Sequence, residues 1–202
     1  TLPSDLALAL AVTAEVEWAA AVRRPRAAFG RLDILVNNAG LALTRPLTET
    51  TLAEWRKVMA VNLDGTFRGV REGVRHLAAG GAIVSLAWVA ALVAAPPLAA
   101  YSAAKGGVVA LTRSAAAIAA EAGQGLRVNA LCPGFTDTAM LDGISDALGS
   151  REGVKAKLAR RQPLGRLCTA DEIAEAALYL ASDAARYVTG TTLTVDGGYS
   201  SQ

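Results

Sequence analysis

The chain has 202 residues and a formal net charge of +2, with 52% hydrophobic and 19% charged residues. This length favours one domain over residues 1–202, and the small charge argues against strong attraction to nucleic acid or an anionic membrane. Two cysteines without metal-ligand spacing and one histidine predict no metal cluster, and no apolar run reaches the roughly 18 residues of a membrane span. We expect a cytoplasmic protein that binds no metal.

Short apolar runs alternate with helix-spaced runs along the chain. In the front part, Leu6–Val12 is predicted as a strand and Glu15–Phe29 as a helix that Pro25 damages in its middle. After these we predict, in chain order, a strand at Ile34–Val36, a helix over Leu52–Leu77, a strand at Ala82–Leu86, a helix over Tyr101–Ala122, a strand at Leu126–Leu131, short helices between Asp137 and Gln162, a helix from Thr169 to about Ser182, and a strand at Thr191–Val195. This rhythm predicts an α/β fold, a doubly wound parallel sheet in three layers. Ligands of such folds bind beyond the carboxyl ends of the strands.

Tyr101 and Lys105 are four positions apart on a predicted helix, so their side chains project from the same face. An ammonium group can stabilise a tyrosinate and lower the phenol pKa from its reference value of about 10. A tyrosine tuned in this way works as a general acid or base near neutral pH. The pair alone is a weak motif, because chance supplies it often.

Three further features fall at the carboxyl ends of predicted strands: the turn at residues 37–40, the segment after Leu86, and residues 133–138. With these in place, the chain resembles the short-chain dehydrogenase/reductase family. The motifs that carry the resemblance are Asn37-Asn38-Ala39-Gly40, Val61-Asn62, Tyr101-x-x-x-Lys105, Arg127-Val128-Asn129 followed by Pro133-Gly134, and Thr194-Val195-Asp196-Gly197-Gly198. They stand in the family's order and span nearly everything from Phe29 to the C-terminus.

The resemblance implies a Rossmann-like fold and hydride transfer between NAD or NADP and a small carbonyl or alcohol substrate. Asn62 would hold a water of the proton relay, Tyr101 would protonate or deprotonate the reacting oxygen, and Lys105 would lower the Tyr101 pKa. The cofactor would be bound by Asn37, Ala39, Gly40, Tyr101, Lys105, Pro133, Gly134, Thr136 and Thr138. Family members commonly pair through the two long helices, which implies a homodimer or homotetramer.

Trp88 stands where the family usually places a serine that binds the substrate oxygen, whether one counts back from Tyr101 or forward from Gly81. Losing one preorganised donor to a developing oxyanion lowers the rate about a hundred- to a thousandfold. The indole also adds bulk on the substrate side. We therefore expect Trp88 in the substrate site, with either a strongly impaired site or residual, unusual catalysis.

The front of the chain is the second place, after Trp88, at which the sequence differs from the family's pattern. Only 31 residues precede Leu32, and the first glycine is Gly30. A βαβ unit takes roughly 30 residues, so the family's N-terminal glycine-rich portion is expected to be missing. Binding of NAD or NADP would then be weakened or lost, and the strand at Ile34 would expose an apolar edge. Leu6–Val12 or another subunit could cover that edge.

Three interpretations stay open on these grounds. The chain is an active oxidoreductase, a non-catalytic pseudoenzyme or assembly subunit of the same fold, or a fragment of a longer enzyme.

Overall fold

The computed structural model describes residues 5–142 and 150–202. In these residues four parallel strands form one sheet in the order β1 to β4, and their bounds are Ile34–Asn37, Ala82–Leu86, Arg127–Pro133 and Thr192–Val195. Val36 pairs with Val84, and Val84 pairs with Asn129 on the next strand. Because all strands are parallel, their carboxyl ends meet at one edge, as the sequence predicts.

Six α-helices of the described residues flank or extend the sheet, and four of the predicted helices are confirmed among them. In chain order they are α1 Glu15–Phe29, α2 Leu52–Met59, α3 Gly65–His76, α4 Ala99–Glu121, α5 Arg151–Arg160 and α6 Ala170–Ala181. A π-helical turn at Ala60–Asp64 joins α2 to α3, so the predicted long helix is continuous but locally widened. Part of the predicted region of short helices, residues 143–149, lies outside the described residues.

The sheet lies between two helical layers, and side chains alternate between them. Ile83 and Val128 pack with α3 and α4, whereas Val84 and Leu131 pack against Leu180 of α6 on the opposite face. The predicted three-layer α/β architecture is confirmed. The prediction that residues 1–202 form a single domain stays a prediction.

The predicted strand at Leu6–Val12 is wrong: the segment has no sheet partner. Val12 packs against Gly65 of α3, and its carbonyl accepts from the Trp18 indole N–H at 3.0 Å. These contacts hold the segment away from β1. Leu10 and Val12 form one wall of an apolar groove of about 370 Å³, and Leu35 and Val36 lie on another part of its lining.

The expected damage at Pro25 is also wrong, because α1 runs without interruption from Glu15 to Phe29. Tertiary contacts hold the helix: Trp18 and Val22 are buried, and Glu15 forms ion pairs with two arginines of α3. The proline removes one intrahelical hydrogen bond, which this packing offsets.

The expected apolar edge is present on β1. Among the described residues β1 pairs with β2 alone, and Ile34 and Val36 are 47% and 45% exposed. None of the described helices is long and apolar enough to cross a membrane.

Candidate active site

Tyr101 and Lys105 lie in the first turns of α4 and are nearly inaccessible, at 7% and 2% exposure. The Lys105 ammonium donates to the carbonyl oxygen of Leu86 at 2.5 Å. Its nitrogen lies 5.5 Å from the centroid of the Tyr101 ring. The pair is therefore held at the carboxyl end of β2.

Burial dominates the Tyr101 pKa in this structure, and the lowering of that pKa by Lys105 stays a prediction. Burial raises the pKa of Tyr101 to about 12. Burial lowers the pKa of Lys105 to about 8, and the neighbouring Cys132 opposes that shift. Lys105 donates to the Leu86 carbonyl, and the loss of solvent around the phenolate is the cause of the raised Tyr101 pKa. Tyr101 thus holds its proton at neutral pH.

Asn62 lies in the π-helical turn and is fully buried. Its Oδ1 accepts from the Leu41 N–H at 3.2 Å, and its Nδ2 donates to the carbonyls of Leu41 and Val58 at 2.8 and 2.9 Å. Both amide hydrogens are used by protein acceptors, so the side chain fixes the turn that follows β1. Its role in holding a water stays a prediction.

Gly40 brings the turn after β1 into contact with the catalytic candidates. A Cβ at this position would lie 3.1 Å from Asn62 Oδ1 and 3.7 Å from Lys105 Nζ. The absence of a side chain therefore leaves open the approach to both groups.

Asn37 ends β1 and joins three elements. Its Nδ2 donates to the Ser85 hydroxyl at 3.1 Å, and its Oδ1 faces Gly69, where a Cβ would lie only 2.0 Å away. Ser85 is fully buried and does not replace the expected serine. Ala39 and Asn37 both line the groove beside β1.

The loop after β3 is tightly fixed. The Gly134 N–H donates to the Val195 carbonyl at 2.9 Å, and a Cβ on Gly134 would lie 2.7 Å from Asp196 Cα. The Gly134 carbonyl accepts from the Thr136 hydroxyl at 3.2 Å. Pro133 is the last residue of β3 and is buried. Thr138 lies farther along, where its carbonyl accepts from two backbone N–H groups of the following turn.

Trp88 is an extended residue that follows β2 and is half-buried. Its ring lies 5.5 Å from that of Tyr101 at an angle of 57°, and 5.5 Å from that of Phe135 at 76°. Its indole N–H donates to the Gly134 carbonyl at 3.2 Å. The position therefore offers neither a hydroxyl nor a free N–H to a substrate oxygen.

The structure brings Gly40, Asn62, Tyr101, Lys105 and Trp88 together through these contacts. Sequence reasoning missed Phe135 and Tyr199, whose rings lie 5.3 Å apart. Phe135 could have been found from its place between Gly134 and Thr136, but no local signal points to Tyr199. No three His, Cys, Asp or Glu side chains of the described residues gather where they could hold a metal ion.

Residues 1–200 match the family model described as enoyl-(acyl carrier protein) reductase. Cis-4-hydroxycyclohexanecarboxylate dehydrogenase of Sinomonas cyclohexanicum is 44% identical over 191 residues, which cover 93% of this chain and 74% of that protein. The chain belongs to the short-chain dehydrogenase/reductase family.

Two other comparisons bear on the site of this short-chain dehydrogenase/reductase. Inactive 2-(S)-hydroxypropyl-CoM dehydrogenase 2 of Xanthobacter autotrophicus is 42% identical over 191 residues, which cover 93% of this chain and 81% of that protein. The structure of ElxO with NADP bound has a TM-score of 0.84 and 31% identity, covering 96% of this chain and 77% of that one. The predicted class, an NAD(P)-dependent oxidoreductase, is confirmed.

The fit of the described residues to NAD or NADP differs between the two ends of the cofactor. At the nicotinamide end, a Cβ on Gly40 would fill the space 3.7 Å from Lys105 Nζ, and the remaining hydrogens of that ammonium suit ribose oxygens. Beside β1 the groove is lined mainly by apolar side chains, including Leu10 and Val36, which offer no donors to a pyrophosphate. The residues present therefore fit the nicotinamide end and do not supply a phosphate cradle.

Proposed function

We propose that this chain transfers a hydride between NAD(P) and a small secondary alcohol or carbonyl compound at Tyr101, and that Trp88 lowers the rate. The observation that carries the proposal is the burial of a protonated Tyr101 beside Lys105 at the carboxyl end of the sheet. A buried phenol in this place is a ready proton donor to a substrate oxygen.

Each catalytic candidate has a distinct task in this proposal. Tyr101 gives its proton to the carbonyl oxygen during reduction and takes one from the alcohol during oxidation. Lys105 stabilises the tyrosinate that forms, because its ammonium is fixed 5.5 Å from the ring. Asn62 positions the turn after β1 through its three hydrogen bonds and holds a water of the proton relay. Bound NAD(P) supplies or accepts the hydride.

The proposed cofactor contacts follow the fit at the nicotinamide end. Lys105 and Tyr101 hold the ribose beside Gly40, where a larger residue would place a Cβ 3.7 Å from Lys105 Nζ. The remaining cofactor-binding candidates are Asn37, Ala39, Pro133, Gly134, Thr136 and Thr138. Asn37 chiefly links β1 to β2 and α3, because its amide already donates a hydrogen bond to the Ser85 hydroxyl.

Fluorescence titration tests the cofactor proposal. We expect a saturable quench of tryptophan emission with NADH or NADPH at up to millimolar concentration, and a weaker quench in Lys105→Met. Lys57→Met, on α2, is the control. If neither nucleotide changes the emission of the unmodified chain, the cofactor proposal fails.

A non-catalytic member of the family is the second candidate. Two observations favour it: the Trp88 N–H is already bonded to Gly134, and one relative at 42% identity is named as inactive. This candidate predicts cofactor binding without turnover in both the unmodified chain and Trp88→Ser.

The proposed partners are a small-molecule substrate and further copies of this chain, without nucleic acid or membrane. Phe67 of α3 is 45% exposed and Ile118 of α4 is 56% exposed, which supports a homodimer or homotetramer that pairs through these helices. Light scattering during gel filtration tests this assembly, and Ile118→Lys is expected to weaken it. A cytoplasmic location is supported by Cys132 and Cys168, which are both free thiols.

A further inference from the structure

We propose that Trp88, Phe135 and Tyr199 form an aromatic wall beside Tyr101, and that this wall selects secondary alcohols and ketones whose reacting carbon belongs to a ring, against polyols. The inference rests on the proposed hydride transfer at Tyr101. Four rings contact one another in series, with centroids 5.5 Å apart from Tyr101 to Trp88, 5.5 Å from Trp88 to Phe135 and 5.3 Å from Phe135 to Tyr199.

At Trp88 and Phe135 the wall offers an apolar surface where a polyol needs hydrogen-bond partners. At the far end of the wall, by contrast, the Tyr199 hydroxyl accepts from the Arg161 guanidinium at 3.0 Å. The indole N–H of Trp88 is used by the Gly134 carbonyl, and the Thr136 hydroxyl donates to the same oxygen. Phe135 carries no polar group. A substrate hydroxyl placed against Trp88 and Phe135 loses its water contacts without replacement, whereas a ring gains contact with the aromatic faces.

The wall is also rigid, so it can distinguish ring substrates from polyols without rearranging. The backbone of Phe135 is anchored through its carbonyl, which accepts from the Cys168 N–H at 3.0 Å and from Gln162 Nε2 at 3.4 Å. Tyr199 is held from two sides: its N–H donates to the Asp196 carbonyl at 3.1 Å, and the Arg161 guanidinium lies 5.4 Å from its ring. Preorganised contacts of this kind add to binding without an ordering cost.

The reaction proposed beside the wall is the two-electron reduction of a ring ketone to a secondary alcohol. Bound NAD(P)H would supply the hydride to the carbonyl carbon of the ring ketone, and the Tyr101 hydroxyl would give its proton to the carbonyl oxygen. The products would be the secondary alcohol and NAD(P)+, and solvent would restore the proton to Tyr101. The wall contacts the ring of the substrate and takes no part in these transfers.

The ratio of kcat/KM for cyclohexanol to that for galactitol tests the selection. We expect the unmodified chain to prefer cyclohexanol about a hundredfold, since apolar pockets discriminate against a hydroxyl by about this factor. Trp88→Ser should lower the ratio at least tenfold, and Trp88→Phe, which keeps a ring, should not. Trp55→Phe is the control, because Trp55 packs near the same Tyr101 cluster but lies outside the series of rings. An unchanged ratio in Trp88→Ser overturns the proposal.

A second measurement tests the selection of ring compounds by the wall without requiring turnover. The chain has three tryptophans, so Trp18→Phe/Trp55→Phe leaves Trp88 as its only indole fluorophore. Cyclohexanone is expected to quench this emission with saturation, and galactitol is not. If no variant turns over either alcohol, the proposed function fails. This titration still tests whether the aromatic wall binds the ring compound in preference to the polyol. Equal responses to the two compounds, or none to cyclohexanone, overturn it.

Discussion

The ammonium nitrogen of Lys105 donates to the carbonyl oxygen of Leu86 at 2.5 Å, which fixes a buried cation at the carboxyl end of β2. In the absence of substrate this contact, rather than one with the phenol, orients the ammonium, and burial raises the pKa of Tyr101 to about 12. Tyr101 therefore stays protonated until a substrate oxygen takes its proton.

The pH dependence of stability should reflect the lowered Lys105 pKa. The folded chain releases this proton near pH 8, whereas in the unfolded chain the group titrates at its ordinary value near 10.5. The unfolded state therefore binds the Lys105 proton more strongly between these values, so the Lys105 contribution to the free energy of unfolding should rise with pH across that window. In Lys105→Met the rise should be absent. Cys132 and Cys168, whose pKa values burial raises to about 11, contribute in the opposite direction above about pH 9 in both proteins. Urea denaturation at pH 7, 8, 9 and 10 measures the free energy of unfolding of both proteins. If this free energy changes with pH in the same way in both, the Lys105 pKa is not lowered in the folded chain.

Arg127 should be a strong determinant of stability. Its guanidinium is buried and donates to the carbonyls of Leu180, Ala181 and Ser182 at the end of α6, at 2.6, 3.2 and 3.2 Å. Arg127→Met leaves these carbonyls without their donor, so we expect a loss of about 2–4 kcal/mol in the free energy of unfolding. Arg113→Met, at an exposed position of α4, is the matched control and should change it by less than about 0.5 kcal/mol. Equal midpoints in urea for the two variants would contradict this role.

Gly134 and Gly106 should respond in opposite ways to the same change. A Cβ on Gly134 would overlap the backbone of Asp196, which cannot move as a side-chain tip can, so Gly134→Ala should destabilise by about 1–3 kcal/mol. Gly106 lies inside α4 with no atom within 4 Å of an added Cβ, so Gly106→Ala should stabilise by about 0.5–1 kcal/mol. Thermal unfolding followed by circular dichroism measures both. A stabilised Gly134→Ala would mean that the loop after β3 is not fixed as described.

The sequence predicts the sheet well because its strands read as short apolar runs that glycine, asparagine or proline borders on at least one side. It fails at Leu6–Val12, where the same kind of run packs against α1 and α3 and stays unpaired. The spacing of Tyr101 and Lys105 places both on one face, but it carries no information about the Leu86 carbonyl that orients the lysine. The aromatic wall could not be predicted either, since Tyr199 meets Phe135 only through the fold.

Turnover of NAD(P)H with a ring ketone tests the central claim most directly, in the unmodified chain, Trp88→Ser and Tyr101→Phe. Trp88→Ser restores a hydroxyl donor and should raise kcat about a hundredfold or more. Tyr101→Phe keeps the ring against Trp88 but removes the proton, so it should lower kcat about a hundred- to ten-thousandfold without loss of helical content. Equal kcat values for Tyr101→Phe and the unmodified chain would contradict the claim that Tyr101 is the proton donor.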